Sequence, residues 1–253
     1  MHHLSTALII FACVFGSALF GMYGRRLLPE HHLSDNSISV VKLATGLVAT
    51  MAALLLGLLI SSAKSSLDTL NSEVTHDAAN VILLDRVLAQ YGPQTQEARV
   101  LLKQRVATGI EIIASRDPAK LARLRSPEAY ARDAYFERKL MELNPQNDLQ
   151  RQLQAHAIEI ANTSFALREL ALLQTVGSTP TPLLVTLVFW LCIIFGSFGL
   201  FSVPNATITL ALFLGALSTT IAIFLILEMN TPLDGLITVS LTPLRETLVV
   251  LGQ

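Results

Sequence analysis

Acidic residues are missing from four long stretches of this chain, residues 4–23, 40–60, 182–201 and 206–227, and their only basic residue is Lys42. Charge-free apolar segments of about twenty residues match the roughly 30 Å hydrocarbon core of a bilayer. Lipid offers a backbone no hydrogen-bond partners, so such segments cross as helices that satisfy their own. An ordinary soluble domain is thereby excluded. Of the 253 residues, 52% are hydrophobic and only 15% charged, and the apolar excess sits in the four runs.

Other absences narrow the function. The net charge is −1, and the polar stretch 61–181 holds as many Lys and Arg as Asp and Glu. No basic patch suited to nucleic acid emerges, so a nucleic-acid partner is not expected. There are two cysteines, Cys13 and Cys192, both inside apolar runs. They read as packing residues and build no disulfide framework. No span carries an ionisable group at its middle, which argues against proton-coupled transporters and pumps but not against a passive channel. The chain has no glycine-rich phosphate loop, no Ser/His/Asp order and no paired-carboxylate signature, so enzymatic activity is not expected. His2-His3 and His31-His32 flank the first run on opposite sides, while His76 and His156 fall on different helices. A zinc site is therefore not expected.

What is present is helical throughout. The first run is read as a retained helix, because Met1-His2-His3 lacks the basic charge of a secretory signal and Arg25-Arg26 follows as a stop flank. Nothing between Ile60 and Leu67 breaks a helix, and Leu67, Leu70, Val74, Ala78, Val81, Leu84 and Leu88 continue at helical spacing. The second span is thus predicted to run on as one rod to Tyr91-Gly92. A further helix is predicted from Pro93 to about Ser115. Asp117-Pro118, Ser126-Pro127 and Asn144-Pro145 read as helix starts, a capping residue before a proline. The last of these opens a rod ending at Gly177. Ser202-Val203-Pro204-Asn205 is a turn that makes an antiparallel hairpin of the third and fourth spans. Asn205-Ala206-Thr207 matches a glycosylation sequon but abuts the membrane and reads as a chance match.

The predicted fold is an all-α integral membrane protein. Four transmembrane helices form two hairpin pairs, residues 1–60 and 182–227. A helical insert, 61–181, continues into the flanking membrane helices, and a short interfacial tail occupies 228–253. Four spans put both termini and the insert on one side. Arg25 and Arg26 pull the first loop inward, whereas Lys64 and Arg168 pull the insert inward, so the positive-inside tendency is nearly balanced.

The second span carries the most distinctive pattern. Thr45, Ala49, Ala53, Gly57 and Ser61 recur every four residues and cover an arc of about 160°. Lys42 and Lys64 project near the middle of that arc, one at each end. Two readings stand. Small residues every four positions allow close helix packing, with the lysines snorkelling to the interface. The same face would line a pore, with a lysine ring at each mouth favouring anions. The fourth span has a similar row, Thr207, Ala211, Gly215 and Thr219, read as packing against the third. Glu228, Asn230 and Asp234 place three oxygen donors at its end, a partial calcium site at most. No other cofactor is expected. Thr242-Pro243 then caps a terminal helix, 244–251, expected on the membrane surface.

Several stretches resemble a bacterial bestrophin-like family of membrane proteins with a domain of unassigned function. They are Val41-Lys42-Leu43-Ala44-Thr45-Gly46-Leu47-Val48-Ala49-Thr50 with Ser61-Ser62-Ala63-Lys64-Ser65-Ser66, and Ile82-Leu83-Leu84-Asp85-Arg86-Val87-Leu88 with Tyr91-Gly92-Pro93. Further matches are Asn144-Pro145-Gln146-Asn147-Asp148, Pro204-Asn205-Ala206-Thr207, Leu227-Glu228-Met229-Asn230 with Pro232, Gly235-Leu236-Ile237 and Pro243-Leu244-Arg245. The resemblance spans nearly the whole chain. It implies a distant relation to bestrophins, which are pentameric, calcium-gated anion channels with cytoplasmic termini. No acidic cluster here corresponds to their calcium clasp. The expectation is a homo-oligomeric channel of the bacterial inner membrane that conducts an inorganic ion, with the second span lining the path and the insert cytoplasmic. The alternative is a non-conducting membrane scaffold or sensor whose insert binds a partner.

Overall fold

The computed structural model describes residues 2–26, 35–174, 181–233 and 235–252. Among them the chain is helical, without strands. The helices are α1 (His2–Gly24), α2 (Asp35–Tyr91), α3 (Gln96–Ala114), α4 (Pro118–Leu121), α5 (Pro127–Met141), α6 (Asp148–Gln174), α7 (Thr181–Phe201), α8 (Ala206–Met229) and α9 (Thr242–Val250). Four of them, α1, α2, α7 and α8, are long and apolar enough to cross a membrane. The chain divides into two compact units, Met1–Ser65 with Ser178–Asn230, and Ser66–Gly177 with Thr231–Gln253. One unbroken helix, α2, contributes to both. Its 57 residues span about 85 Å at 1.5 Å per residue, so a single apolar stretch at 40–60 accounts for only part of it.

In the first unit the closest approach is between α1 and α7. A Cβ on Gly199 would stand 2.0 Å from the Ala18 carbonyl oxygen, and one on Gly21 would stand 2.1 Å from the Gly196 carbonyl oxygen. Backbone meets backbone here, which only glycine permits. Lipid tails are as apolar as leucine, so close van der Waals contact drives such crossings. Helix α1 also packs on α8, where Phe11 and Phe15 meet the Phe213 ring edge-on at 5.4 and 5.5 Å. Helices α7 and α8 touch each other sparingly. The spans are therefore not two self-contained hairpins, because the glycines of α1 and α7 tie the first span to the third. The row on α8 is not the seat of tight packing either. Thr207 and Ala211 are exposed, and a Cβ on Gly215 would meet only the Phe195 ring at 3.4 Å.

The second unit is a helical bundle whose core takes Leu84 and Leu88 from α2, Leu102 and Val106 from α3, Phe136 and Leu140 from α5, and Ala157 and Ala161 from α6. The end of α2 turns at Gly92, whose φ of 127° suits glycine. The orphan carbonyls there are met by Thr95 Oγ1, 2.5 Å from the Leu88 oxygen, and by Gln150 Nε2, which donates to Tyr91 at 3.0 Å. A three-residue 3₁₀ turn, Pro93–Thr95, precedes α3. Asp117 and Ser126 cap α4 and α5 as expected, accepting from the Ala119 and Ala129 amides. Asn144 does not open α6. Asn147 does, accepting from the Gln150 amide at 2.8 Å, because Gln154 Nε2 reaches back to the Leu140 and Leu143 carbonyls and holds the preceding turn. The expected end of α6 at Gly177 lies outside the described residues.

The tail expected on the membrane surface instead packs into this bundle. Helix α9 lies on α3, and Leu251 is 2% exposed in the core. Lys103 Nζ donates to the Leu251 carbonyl at 2.8 Å, and the Gly252 amide donates to Asp85 Oδ2. Asp85 also takes a two-pronged pair from Arg99, 2.7 Å at Nε and 2.9 Å at Nη2. Burial alone would raise the Asp85 carboxyl, but the Arg99 and Gly252 hydrogen bonds outweigh it and hold it below its ordinary value.

Gly199→Leu is expected to lower thermal stability in detergent by about 1–3 kcal/mol or more through overpacking at Ala18. Gly16→Ala, where a Cβ meets nothing within 4 Å, is expected to be neutral or slightly stabilising. Asp85→Asn is expected to cost about 1.5–3 kcal/mol in the same melts by weakening the charged hydrogen bonds. Because the Asp85 carboxyl is depressed when folded, its stabilisation is present above the ordinary value of 3.8 and is lost as pH falls through the folded value. Acid melts of Asp85→Asn should therefore be flatter with pH than those of the native protein.

Candidate functional site

The apolar part of α2 presents three different faces. Thr45, Ala52, Leu59 and Ala63 are buried, and Val48, Ala49, Leu55 and Leu56 pack beside them against the first unit's core. Roughly a third of the way round the helix lies a stripe of small and polar residues exposed on the single chain: Gly46, Thr50, Ala53, Gly57 and Ser61. Beyond it stand large exposed side chains, Leu43, Leu47, Leu54 and Leu58. A Cβ added at Gly46 or Gly57 would meet nothing within 4 Å.

The five residues singled out by their spacing do not share one environment. A step of four advances about 40° beyond a full turn, so the row winds from inside to outside. Thr45 is buried and Ala49 half-buried, whereas Ala53, Gly57 and Ser61 are exposed. Thr50, which the four-residue count skipped, shares the exposed stripe; its Oγ1 donates to the Gly46 carbonyl at 3.0 Å. Lys42 and Lys64 are both exposed at its two ends. The stripe is thus narrow, uncharged along its length and flanked by cations. It offers hydroxyls and backbone to whatever faces it, with no bulky side chain in the way.

Two of the three oxygen donors at the end of α8, Glu228 and Asn230, are described. Glu228 is buried at 6% exposure, and Asn230 Nδ2 turns back to donate to the Ile226 carbonyl at 3.0 Å. Asp234 lies outside the described residues, as do His31 and His32. Among the described residues no three His, Cys, Asp or Glu side chains group as metal ligands would. Asn205, the sequon asparagine, caps α8 by accepting from the Thr207 amide at 3.2 Å.

Sequence reasoning missed a buried charge network in the second unit. Asp133 on α5 forms ion pairs with Arg105 Nε of α3 at 3.2 Å and with Arg168 Nη2 of α6 at 2.5 Å. Arg105 also lies over the Phe165 ring, 4.4 Å from its centre. These residues come from three helices at unrelated spacings, so no local pattern announced them. The one available signal was an arginine or aspartate interrupting an otherwise apolar helical face.

Against this background, a family described as a bestrophin-like domain matches residues 11–244. The match runs from α1 into α9 and covers both units. No curated protein and no solved structure matches the chain.

The three-faced arrangement of α2 predicts a reactivity pattern. With Cys13 and Cys192 replaced by alanine, Ala53→Cys, Gly57→Cys and Ser61→Cys are expected to react severalfold faster with a charged, membrane-impermeant thiol reagent than Ala52→Cys or Leu59→Cys. Thiolates form where water reaches. Equal, slow labelling at all five positions would show a dry stripe.

Proposed function

Because the chain belongs to the bestrophin-like family, we propose that it is an oligomeric ion channel selective for inorganic anions, with the exposed stripe of α2 lining the pathway. The observation that carries this reading is the face of Gly46, Thr50, Ala53, Gly57 and Ser61, left open on the single chain between Lys42 and Lys64. Acyl chains gain little against glycine and serine, whereas copies of the same helix arranged about an axis would enclose a water-filled path of small side chains and hydroxyls. Rings of Lys42 and Lys64 at its mouths would concentrate anions and repel cations. No carboxylate within the span would oppose them. The pathway needs no cofactor and performs no covalent chemistry.

In this reading the four spanning helices cross a bacterial inner membrane, and the chain termini and the polar insert between α2 and α7 face the cytoplasm. The subunits form a homo-oligomer, with five copies the number suggested by the likeness to bestrophins. The large exposed leucines beside the stripe serve subunit contacts and lipid.

A second reading rests on the second unit, which has its own core. In it the protein is a non-conducting scaffold or sensor whose bundle binds a partner. Chloride flux from proteoliposomes separates the two. The channel reading predicts flux above that of empty liposomes, a ring of subunits in detergent, and a fall in anion-to-cation preference for the double variant Lys42→Glu, Lys64→Glu. Absence of flux from a folded, monomeric protein would sink it and favour the scaffold. Flux with unaltered ion preference in the double variant would remove the role given to the lysines.

A further inference from the structure

Within the second unit, α2, α3, α5 and α6 and the stretch leading into α9 line a cavity of about 270 Å³. Its wall is largely aliphatic and aromatic, with Leu70, Val74, Ile112, Leu124, Phe136 and Leu172 among the residues that form it. The ionisable side chains on that wall are Glu73 and Asp77 from α2, Arg105 from α3, Arg132 and Asp133 from α5, and Arg168 from α6. Both oxygens of Asp133 are already engaged, Oδ1 by Arg105 and Oδ2 by Arg168. Among the other polar atoms of that wall, Asp77 Oδ1 and Arg168 Nε are shut off from solvent and have no hydrogen-bond partner.

Orphaned polar atoms on the wall of a cavity are costly in a bundle that is otherwise well satisfied. An occupant that accepts a hydrogen bond from each would relieve both. Burial pushes the Asp77 carboxyl up, against the pull of Ser164, Arg105 and Arg168, and Asp133 adds to the rise. That favours its protonated form, in which Asp77 donates. With Asp77 neutral, three arginines face two carboxylates on the wall, which leaves room for one negative charge. A guanidinium N–H and a carboxylic O–H together suit a carboxylate head, while the rest of the wall suits an alkyl tail.

We infer that this cavity binds a small monocarboxylate with an unbranched apolar tail, a medium-chain fatty acid in chemical class, with its head on Arg168 and Asp77. The cavity lies close to the lower end of the roughly 300–1,000 Å³ range of small-molecule sites. That size accommodates a medium chain and not a phospholipid. The inference concerns the second unit alone and stands or falls independently of conduction along α2.

The test is equilibrium dialysis of radiolabelled octanoate against the full-length protein in nanodiscs, with empty nanodiscs as background. Saturable binding at one site per chain is expected, with octan-1-ol, the same tail without the charge, binding about tenfold weaker or worse. Arg168→Gln and Asp77→Ala are each expected to weaken octanoate by about tenfold. Because loss of Arg168 also strips Asp133 of a partner, Gly109→Leu provides the second handle. Gly109 lines the cavity on α3, a Cβ there meets nothing within 4 Å, and the larger side chain would fill the space. Folded Gly109→Leu protein is expected to lose saturable binding. Octanoate uptake no greater than in empty nanodiscs, equal affinity for octan-1-ol, or undiminished binding by folded Gly109→Leu would each overturn the inference.

Discussion

Every backbone N–H and C=O within a hydrocarbon core must find its partner inside the chain, and the rest of this structure depends on that constraint. It makes helices of the four apolar stretches. It also leaves side-chain contact and backbone approach as the means of holding those helices together, since lipid supplies no hydrophobic driving force between them. The crossing of α1 and α7 follows. Gly21 and Gly199 bring the two backbones close enough that even one added carbon would collide.

The second unit obeys the opposite solvent logic. Its core is aliphatic, and its helix ends are closed by side chains that reach from elsewhere, as Gln150 reaches Tyr91 and Gln154 reaches Leu140. Two of its buried carboxylates have company. Asp85 is held by Arg99 and the Gly252 amide, and Asp133 by two arginines. Where that company is incomplete, at Asp77 and Arg168, the wall of a cavity is found. Buried pairs of this kind contribute little net stability, yet losing one partner is costly, so they constrain which helices must meet.

Much of this was legible beforehand, for local reasons. The absence of a breaker between Ile60 and Leu67 foretold that α2 would continue to Tyr91, and Asp117 and Ser126 act as the caps their positions suggested. The misreadings have long-range causes. Asn144-Pro145 looks as good a start as Asn147, but Gln154 decides between them from the following helix. An apolar tail with a proline reads as interfacial until α3 offers Lys103 and an apolar face to receive it. The Thr45 to Ser61 row was visible as a pattern, whereas its division between core and surface was not.

The amino-acid sequence by itself determined the class of the protein, the four helices long and apolar enough to cross a membrane, the continuity of α2 and the small residues along it. These depend on hydropathy and backbone hydrogen bonding within a few turns, which neighbouring residues settle among themselves. Only the tertiary structure decided that α1 pairs with α7, that Thr45 is covered while Gly57 and Ser61 are open, and that charges from four helices converge on one cavity. Periodicity records which residues share a face. Which face a neighbour covers depends on side chains far away in the chain, and no local pattern carries that information.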